Sequence, residues 1–399
     1  MRIGSLAISG IGLLSPAGSG ERAFCDALAA ARPVEPSADW LTDADPLTTT
    51  LPPALRRGAR VVEPSAPHSR ALQRLPRLSR LCIAAAREAL AAAAPACDPT
   101  ALGLVFASGL GPTADATRFV RSYLVEGAEA ASPLLFSQAT PAATAGHVAI
   151  ECGLRGVSAT IHHRDASPLS ALACAASFLA LERADAVVVV AADELTPATL
   201  HAQARFGALT AAAMRPYDGA RDGFVAGELA VALLLERDED ARRRGAAIRA
   251  RLVGVRESGD RRPRIGWGDG AASPAAAADL TELARTLERV DWIAGGGNGT
   301  ALDEAELRTL ALAFGATMPP LSSILAQTGE SFSSAALRLC AAVWALEQQR
   351  LPATVGLTSP SSPWASALVR EPRRASVERV LIPSLAQGGA NVTVALARA

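Results

Sequence analysis

Residues 153–192 read GLRGVSATIHHRDASPLSALACAASFLALERADAVVVVAA. Ser158 to His162 is a short β-type run, Leu169 to Arg183 a helical apolar pattern, and Ala186 to Ala192 an unbroken apolar run rich in valine. A strand, a helix and a second strand in this order predict a crossover unit of a parallel sheet. A strand apolar at every position is one covered on both faces. The turn between the first strand and the helix is abrupt, a place where many enzymes display a nucleophile. Its tip carries His163, Arg164 and Asp165, with neither serine nor cysteine.

The same alternation extends outward. Ser5 to Ile11, Leu102 to Ala107 and Leu229 to Glu236 read as further strands, and Leu78 to Ala94 and Ala139 to Cys152 as helices. After Arg237 a charged run, DEDARRRG, marks a boundary, and the pattern restarts. Strands are expected at Ile248 to Val255, Asp291 to Ile293, Ala316 to Pro319, Val380 to Ser384 and Val392 to Ala397. Helices are expected at Ala275 to Leu287 and Ser333 to Gln349. The fold class is α/β, with mainly parallel sheets and two halves sharing one strand-helix order, divided as 1–240 and 241–399. The segment from Arg32 to Arg77, rich in proline and arginine, reads as surface connections.

Composition narrows the chemistry. Basic and acidic residues balance at 39 each, so no basic surplus points to nucleic acid. Every basic residue is arginine, which excludes Schiff-base, pyridoxal phosphate and P-loop lysine chemistry. Six scattered cysteines without a CxxC fit a reducing compartment. The N-terminal apolar run is broken by Gly and Ser and lacks a small-x-small cleavage site, and no apolar span approaches ~20 residues. A cytoplasmic protein without membrane association is expected.

The ordered landmarks resemble the β-ketoacyl synthase family of the thiolase fold over essentially the whole chain. They are the N-terminal strand with SPAG, LSRLCIAAAREAL, SPLLFSQATPAATAGHVAIECGL, RPYDGARDGFVAGELAVALLLE, DWIAGGGNGTALDEAEL, QTGESFSSAA and PSLAQGGANVTVAL. The resemblance implies two duplicated halves in a five-layered α-β-α-β-α arrangement. It also shows what is missing. The family's nucleophilic cysteine sits in a Thr-Ala-Cys-Ser elbow, where this chain has His163, Arg164, Asp165 and Ala166. Its first histidine falls at Gly296 and its second at Glu330. The five histidines, His68, His147, His162, His163 and His201, all lie in the first half, whereas the family draws both histidine donors from the second. Decarboxylative condensation needs a thiolate to hold the acyl group and donors to stabilise enolate and oxyanion.

Each remaining candidate has a plain reading beside the sharp one. Asp165 is either a repurposed base or a plug whose charge the helix N-terminus stabilises; a carboxylate carries acyl groups poorly, because the mixed anhydride hydrolyses. Arg164 could pair with it or reach across a subunit contact. His162 and His163 point to opposite faces of a strand, which favours a structural role over a metal pair. Cys174, inside ALACAASFL, reads as a packed apolar residue. Asp165 and Glu330 could form a carboxylate dyad. The GGGNGT stretch lacks the strand-GxGxxG-helix context of a nucleotide site. Arg56, Arg57, Arg60, Arg70, Arg74, Arg77 and Arg80 form a stretch that is either solvated surface or a docking site for an acidic carrier protein. No cofactor or metal is expected.

A ketosynthase-like chain without these residues resembles the chain-length factor (ketosynthase β) of bacterial type II polyketide synthases. That resemblance implies a catalytically inactive subunit that heterodimerises with an active ketosynthase α and works with an acyl carrier protein. It makes Ser158, Thr160, His162, His163 and Arg164 interface residues, and the segment Arg118 to Phe136 a source of tunnel floor. Phe119, Tyr123, Leu124 and Phe136 are the expected gates. The rivals are a divergent acyltransferase or hydrolase using Asp165 and Glu330, and a homodimeric acyl-binding scaffold. A polyene-type product is expected over an aromatic one, because the elbow lacks the glutamine typical of aromatic systems.

Overall fold

The computed structural model describes residues 5–42, 45–63, 70–261, 268–360 and 364–399. Its main sheet is built from β1 (Leu6–Ser15), β2 (Leu102–Ala107), β3 (Ser158–Ile161), β4 (Ala186–Asp193) and β5 (Leu229–Arg237), followed by β6 (Ala250–Gly259), β7 (Trp292–Ala294), β8 (Leu321–Ser322), β9 (Arg379–Leu385) and β10 (Ala390–Ala397). The order across it is β3-β2-β4-β5-β1-β6-β10-β9-β7-β8. Read from its own outer edge, each block of five has the same order, third, second, fourth, fifth, first. The blocks meet where β1 pairs antiparallel with β6 at Leu6, Ala7 and Ile8. The strands flanking the elbow, β3 and β4, lie on either side of β2 and run parallel to it.

The helices that matter for the site are α1 (Arg77–Ala93), α2 (Thr113–Glu126), α3 (Pro133–Gln138), α4 (Pro141–Cys152), α5 (Ser167–Ala180), α6 (Pro274–Leu287), α7 (Leu302–Phe314) and α8 (Ser334–Gln348). Three apolar cores separate the layers. One joins α1 and α4 to the outer face of the first block, and another joins α6 and α7 to the second. The largest lies between the blocks and takes in α5 and α8. Every residue of α8 from Ser334 to Leu346 is buried, as expected of a helix apolar on all sides. The layering is α-β-α-β-α. Glycine permits the closest contact: a Cβ on Gly12 of β1 would stand 2.1 Å from the Ala85 carbonyl oxygen of α1. Among the described residues no helix is long and apolar enough to cross a membrane.

The sheet is mixed and not mainly parallel, since β1 pairs antiparallel with β5 and β6, β4 with β5, and β10 with β6 and β9. One expected strand is displaced, and several helices, α2, α3 and α7 among them, were not named from the sequence. The strand expected at Ala316 to Pro319 forms instead at Leu321–Ser322, because Pro319 and Pro320 have no N–H to donate to a ladder. Helix α2 carries little buried apolar surface to signal it; of its residues only Asp115 is fully buried. Helix α7 follows directly on the glycine-rich loop, so β7 and α7 do flank GGGNGT.

The candidate site: a ketosynthase elbow filled with charge

Strand β3 ends at Ile161, and a single 3-10 turn (Arg164–Ala166) leads into α5. Arg164 takes φ 49, a left-handed conformation that costs an ordinary residue free energy and persists where surrounding contacts enforce it. Those contacts are visible: the Ser167 hydroxyl accepts from His163 N at 2.7 Å and donates to the Ser108 carbonyl at 3.1 Å. Ser384 Oγ donates to the Asp165 carbonyl at 2.9 Å, and Gln387 N donates to Asp165 Oδ2 at 3.1 Å. The Asp165 plug is therefore fastened by the final glycine-rich loop of the other block as well as by its own turn. Asp165 is partly exposed as a residue, but its carboxyl is enclosed, and burial pushes its pKa up to about 6. Arg164 is exposed, and its charge exerts only the weakest favourable influence on Asp165.

Asp165, Gly296, Glu306, Glu330 and Arg338 line one cavity of about 20 Å³, room for roughly one water. The proposed dyad thus meets in space. Burial holds Glu330 well above the usual carboxylate range, and Asp165 adds to the shift, while Arg338 opposes it. Burial likewise raises Glu306, again against Arg338. Among the described residues, Arg338 Nε has no hydrogen-bond partner, and the Asn298 side chain lies close enough to Glu330 to favour its ionised form. The sequence reading missed Arg338, the one charge within the buried stretch Ser334 to Leu346 of α8.

The glycine-rich loop has the strand-to-helix setting denied to it above, yet it offers no phosphate cradle. Gly296 N donates to Glu306 (2.9 Å), Gly297 N to the Tyr217 hydroxyl (3.0 Å), and Asn298 N and Gly299 N to Asp303 (2.7 and 3.0 Å). Amides that would bind an anion are already bound to internal acids.

The buried acids make stability pH-dependent in a definite direction. Burial raises Asp165 from 3.8 to about 6, Asp303 from 3.8 to about 7, and Glu194 from 4.5 to about 7; Glu194 follows β4 and accepts from Ala114 N at the start of α2. A carboxyl with its folded pKa above its unfolded one contributes stability that is complete below the unfolded value and lost as pH rises through the folded one. Stability should therefore fall between about pH 4 and pH 7. Urea denaturation should give a higher midpoint at pH 5 than at pH 8; a higher midpoint at pH 8 would contradict this account of the acids.

Other candidates lie around the elbow. His162 and His163 are both exposed, and His163 Nδ1 lies 3.3 Å from Ser170 Oγ. Cys174 is half-buried against the central core, and burial raises its thiol. Tyr123, Leu124 and Phe136 face solvent, whereas Phe119 is half-buried with its ring centroid 5.4 Å from that of Phe136. The arginine stretch is not an open docking surface. Arg77 pairs with Glu228 and Glu63, Arg80 with Glu63, and Arg60 approaches Glu228. Arg56 and Arg57 donate to backbone carbonyls, and Arg74 is exposed. The Arg70 side chain and residues 64–69 of the connecting segment lie outside the described residues.

Backbone geometry also shows which groups of β3 are open. Leu104 N donates to Val157 O, and Ser108 N to Ile161 O. In a parallel ladder one residue directs both N–H and C=O to the same neighbour, so Val157, Ala159 and Ile161 face β2. Ser158 and Thr160 direct theirs away from it. Strand β3 is the sheet's edge, and these groups form an open template for another strand.

Duplicated five-stranded blocks, with a strained elbow over the central layer, define the ketosynthase class of thiolase-like fold. The family model of the β-ketoacyl synthase N-terminal domain matches residues 5–241; the chain belongs to the β-ketoacyl synthase family. A granaticin polyketide putative β-ketoacyl synthase 1 from Streptomyces violaceoruber is 31% identical, covering 88% of each chain. The tetracenomycin polyketide synthase ketoacyl synthase β subunit from Streptomyces glaucescens is 29% identical over 98% of each. Among solved structures, the ishigamide ketosynthase/chain length factor superposes with a TM-score of 0.85 at 23% identity, covering 99% of each chain.

Proposed function

We propose that this chain is a non-catalytic subunit of the chain-length-factor type in a type II polyketide synthase. It pairs with an active ketosynthase, and the pair receives its growing chain from an acyl carrier protein. The observation that carries this reading is the filled site. Where condensation needs a thiolate and two imidazoles, this chain places Asp165, Gly296 and Glu330 around a space for about one water. A subunit unable to hold an acyl group contributes by shape. The likeness to the tetracenomycin β subunit over nearly the full length supports the same assignment.

Two surfaces support pairing. One is the open edge of β3. The other is the apolar run Tyr123, Leu124, Val125, Leu134 and Phe136, exposed by 49 to 76% in the isolated chain. Contiguous exposed apolar surface of this kind marks a partner interface. The gates act there by closing the base of the partner's tunnel, since in this chain alone they enclose nothing. Co-expression with an active ketosynthase should yield a soluble heterodimer that makes a polyketide with carrier protein; a chain that remains a homodimer in its presence would support the scaffold reading instead. In that pair, Tyr123→Ala or Phe136→Ala should lengthen the product by about one or two extension units, because truncation removes bulk that sets cavity depth. Product mass spectrometry checks it, and unchanged length would remove these residues as gates.

The acyltransferase or hydrolase alternative has one observation in its favour. Asp165 and Glu330 share a cavity, and Asp165 sits at about 6, within reach of general-base work near neutrality. Turnover of an acyl thioester by the isolated chain, abolished in Asp165→Ala, would establish it.

A further inference from the structure

We infer that Arg338 is the residue that keeps the former acyl site of this chain closed, by occupying its volume and bridging its walls through backbone carbonyls. The inference rests on reading the elbow cavity as the counterpart of a ketosynthase acyl site. It adds a residue that lies in none of the family's catalytic motifs.

Four observations converge on Arg338. It is 5% exposed on α8, a helix otherwise buried and uncharged from Ser334 to Leu346. A guanidinium in such surroundings is costly unless paired and hydrogen-bonded. Its Nη1 donates to the Ala294 carbonyl at 3.1 Å and to the Pro383 carbonyl at 2.5 Å, bridging the ends of β7 and β9 across the cavity. Its charge favours the ionised forms of Glu306 and Glu330, which burial otherwise opposes.

The fourth observation is steric. A Cβ placed on Gly296 would lie 3.2 Å from Arg338 Nη1, 3.4 Å from Cζ and 3.5 Å from Nη2. Any side chain extending beyond Cβ in that direction would overlap the guanidinium. Arg338 thus crowds the space beside position 296, where glycine leaves the guanidinium undisturbed. Loss of the first histidine position and arrival of the arginine are two parts of one packing solution. The cavity that remains, about 20 Å³, has no room for an acyl chain.

The chemistry of closure can be read with a thiol at the elbow. Asp165→Cys is introduced with Glu330→Gln, which removes a neighbouring acid whose ionisation would disfavour the thiolate. The thiolate attacks the sulfenyl sulfur of an alkyl methanethiosulfonate; an S–S bond forms, the S–SO2 bond breaks, and methanesulfinate leaves. Methyl and octyl reagents share this step and differ in length, so the ratio of their rates reports space and cancels changes in thiol ionisation. Mass spectrometry of the peptide carrying position 165 gives each rate.

Adding Arg338→Ala to Asp165→Cys/Glu330→Gln should raise the octyl-to-methyl ratio at least about tenfold, because the vacated volume admits an alkyl chain. Arg338→Met, which keeps length and removes the fork, provides a more conservative folded background and should give a smaller rise. An unchanged ratio in either folded variant overturns the inference, as does fast octyl labelling with Arg338 intact. Pairing with a ketosynthase is measured separately on the same proteins. Failure to pair counts against the subunit assignment and leaves the labelling result standing.

Discussion

Thr160→Pro is expected to weaken association with the proposed ketosynthase partner strongly while the isolated chain stays folded. Thr160 lies on the edge strand β3, and its N–H and C=O point away from β2. Inside the chain, proline there removes no ladder bond, and edge strands are where proline is tolerated. Across a strand-to-strand interface it removes a donor and places a ring against the incoming backbone. That costs about 1–3 kcal/mol, roughly five- to a hundredfold in dissociation constant. Ala159→Pro is the internal control. Its N–H faces β2, so it should lower the denaturation midpoint of the chain itself. Titration calorimetry of the purified pair reads the first effect, and wild-type affinity in Thr160→Pro would move the interface away from β3.

Asp303→Ala should be the most destabilising single change around the site. The Asp303 carboxylate accepts from Tyr217 N at 2.6 Å, Asn298 N at 2.7 Å and Gly299 N at 3.0 Å, and it is fully buried. Alanine would leave three buried N–H groups without a partner, at about 1–3 kcal/mol each. One of them belongs to Tyr217, which is held at φ 60, so its strain would lose the bond that restrains it. The expected loss of roughly 3–6 kcal/mol is a large share of a typical folding free energy. Asp303→Asn keeps one acceptor oxygen, enough for Asn298 N and Gly299 N but not for Tyr217 N, and should lose less than Asp303→Ala. Urea denaturation of the two variants tests this; equal losses would mean that the carboxylate's charge, and not its hydrogen bonds, holds the loop.

The cluster that follows from these residues explains why the elbow can be read in two ways. Asp165 alone looks like a helix-terminal plug. With Glu330, Glu306 and Arg338 it becomes part of a filled polar core, fastened across the two blocks by Gln387 N and Ser384 Oγ. The family-type strained turn persists although nothing is displayed on it, because Ser167, Ser108 and the final loop hold it for packing reasons.

Much of the fold was legible in local pattern. Apolar runs such as Ala186 to Ala192 and the Ala-rich helices carry their periodicity in adjacent residues, and burial of that periodicity is what forms the layers. The absence of histidine from the second half and of cysteine from the elbow needed only the ordered motifs. Helix α2 was not named from the sequence although Phe119, Val120, Tyr123 and Leu124 recur at helical spacing; that Val120, Tyr123 and Leu124 stay exposed is seen only in the structure. Of the groups that occupy the GGGNGT amides, Asp303 and Glu306 lie nearby in sequence and only Tyr217 is distant.

The sequence by itself therefore determined the class of fold and the absence of histidine from the second half and of cysteine from the elbow tip, since both reside in neighbouring residues and in which residue types are present. Only the tertiary structure decided what replaced those groups. Arg338 faces Gly296, Asp303 holds Tyr217, and Thr160 turns outward because distant segments are brought together by strand register and helix packing. Contact between residues so far apart leaves no signal in local spacing.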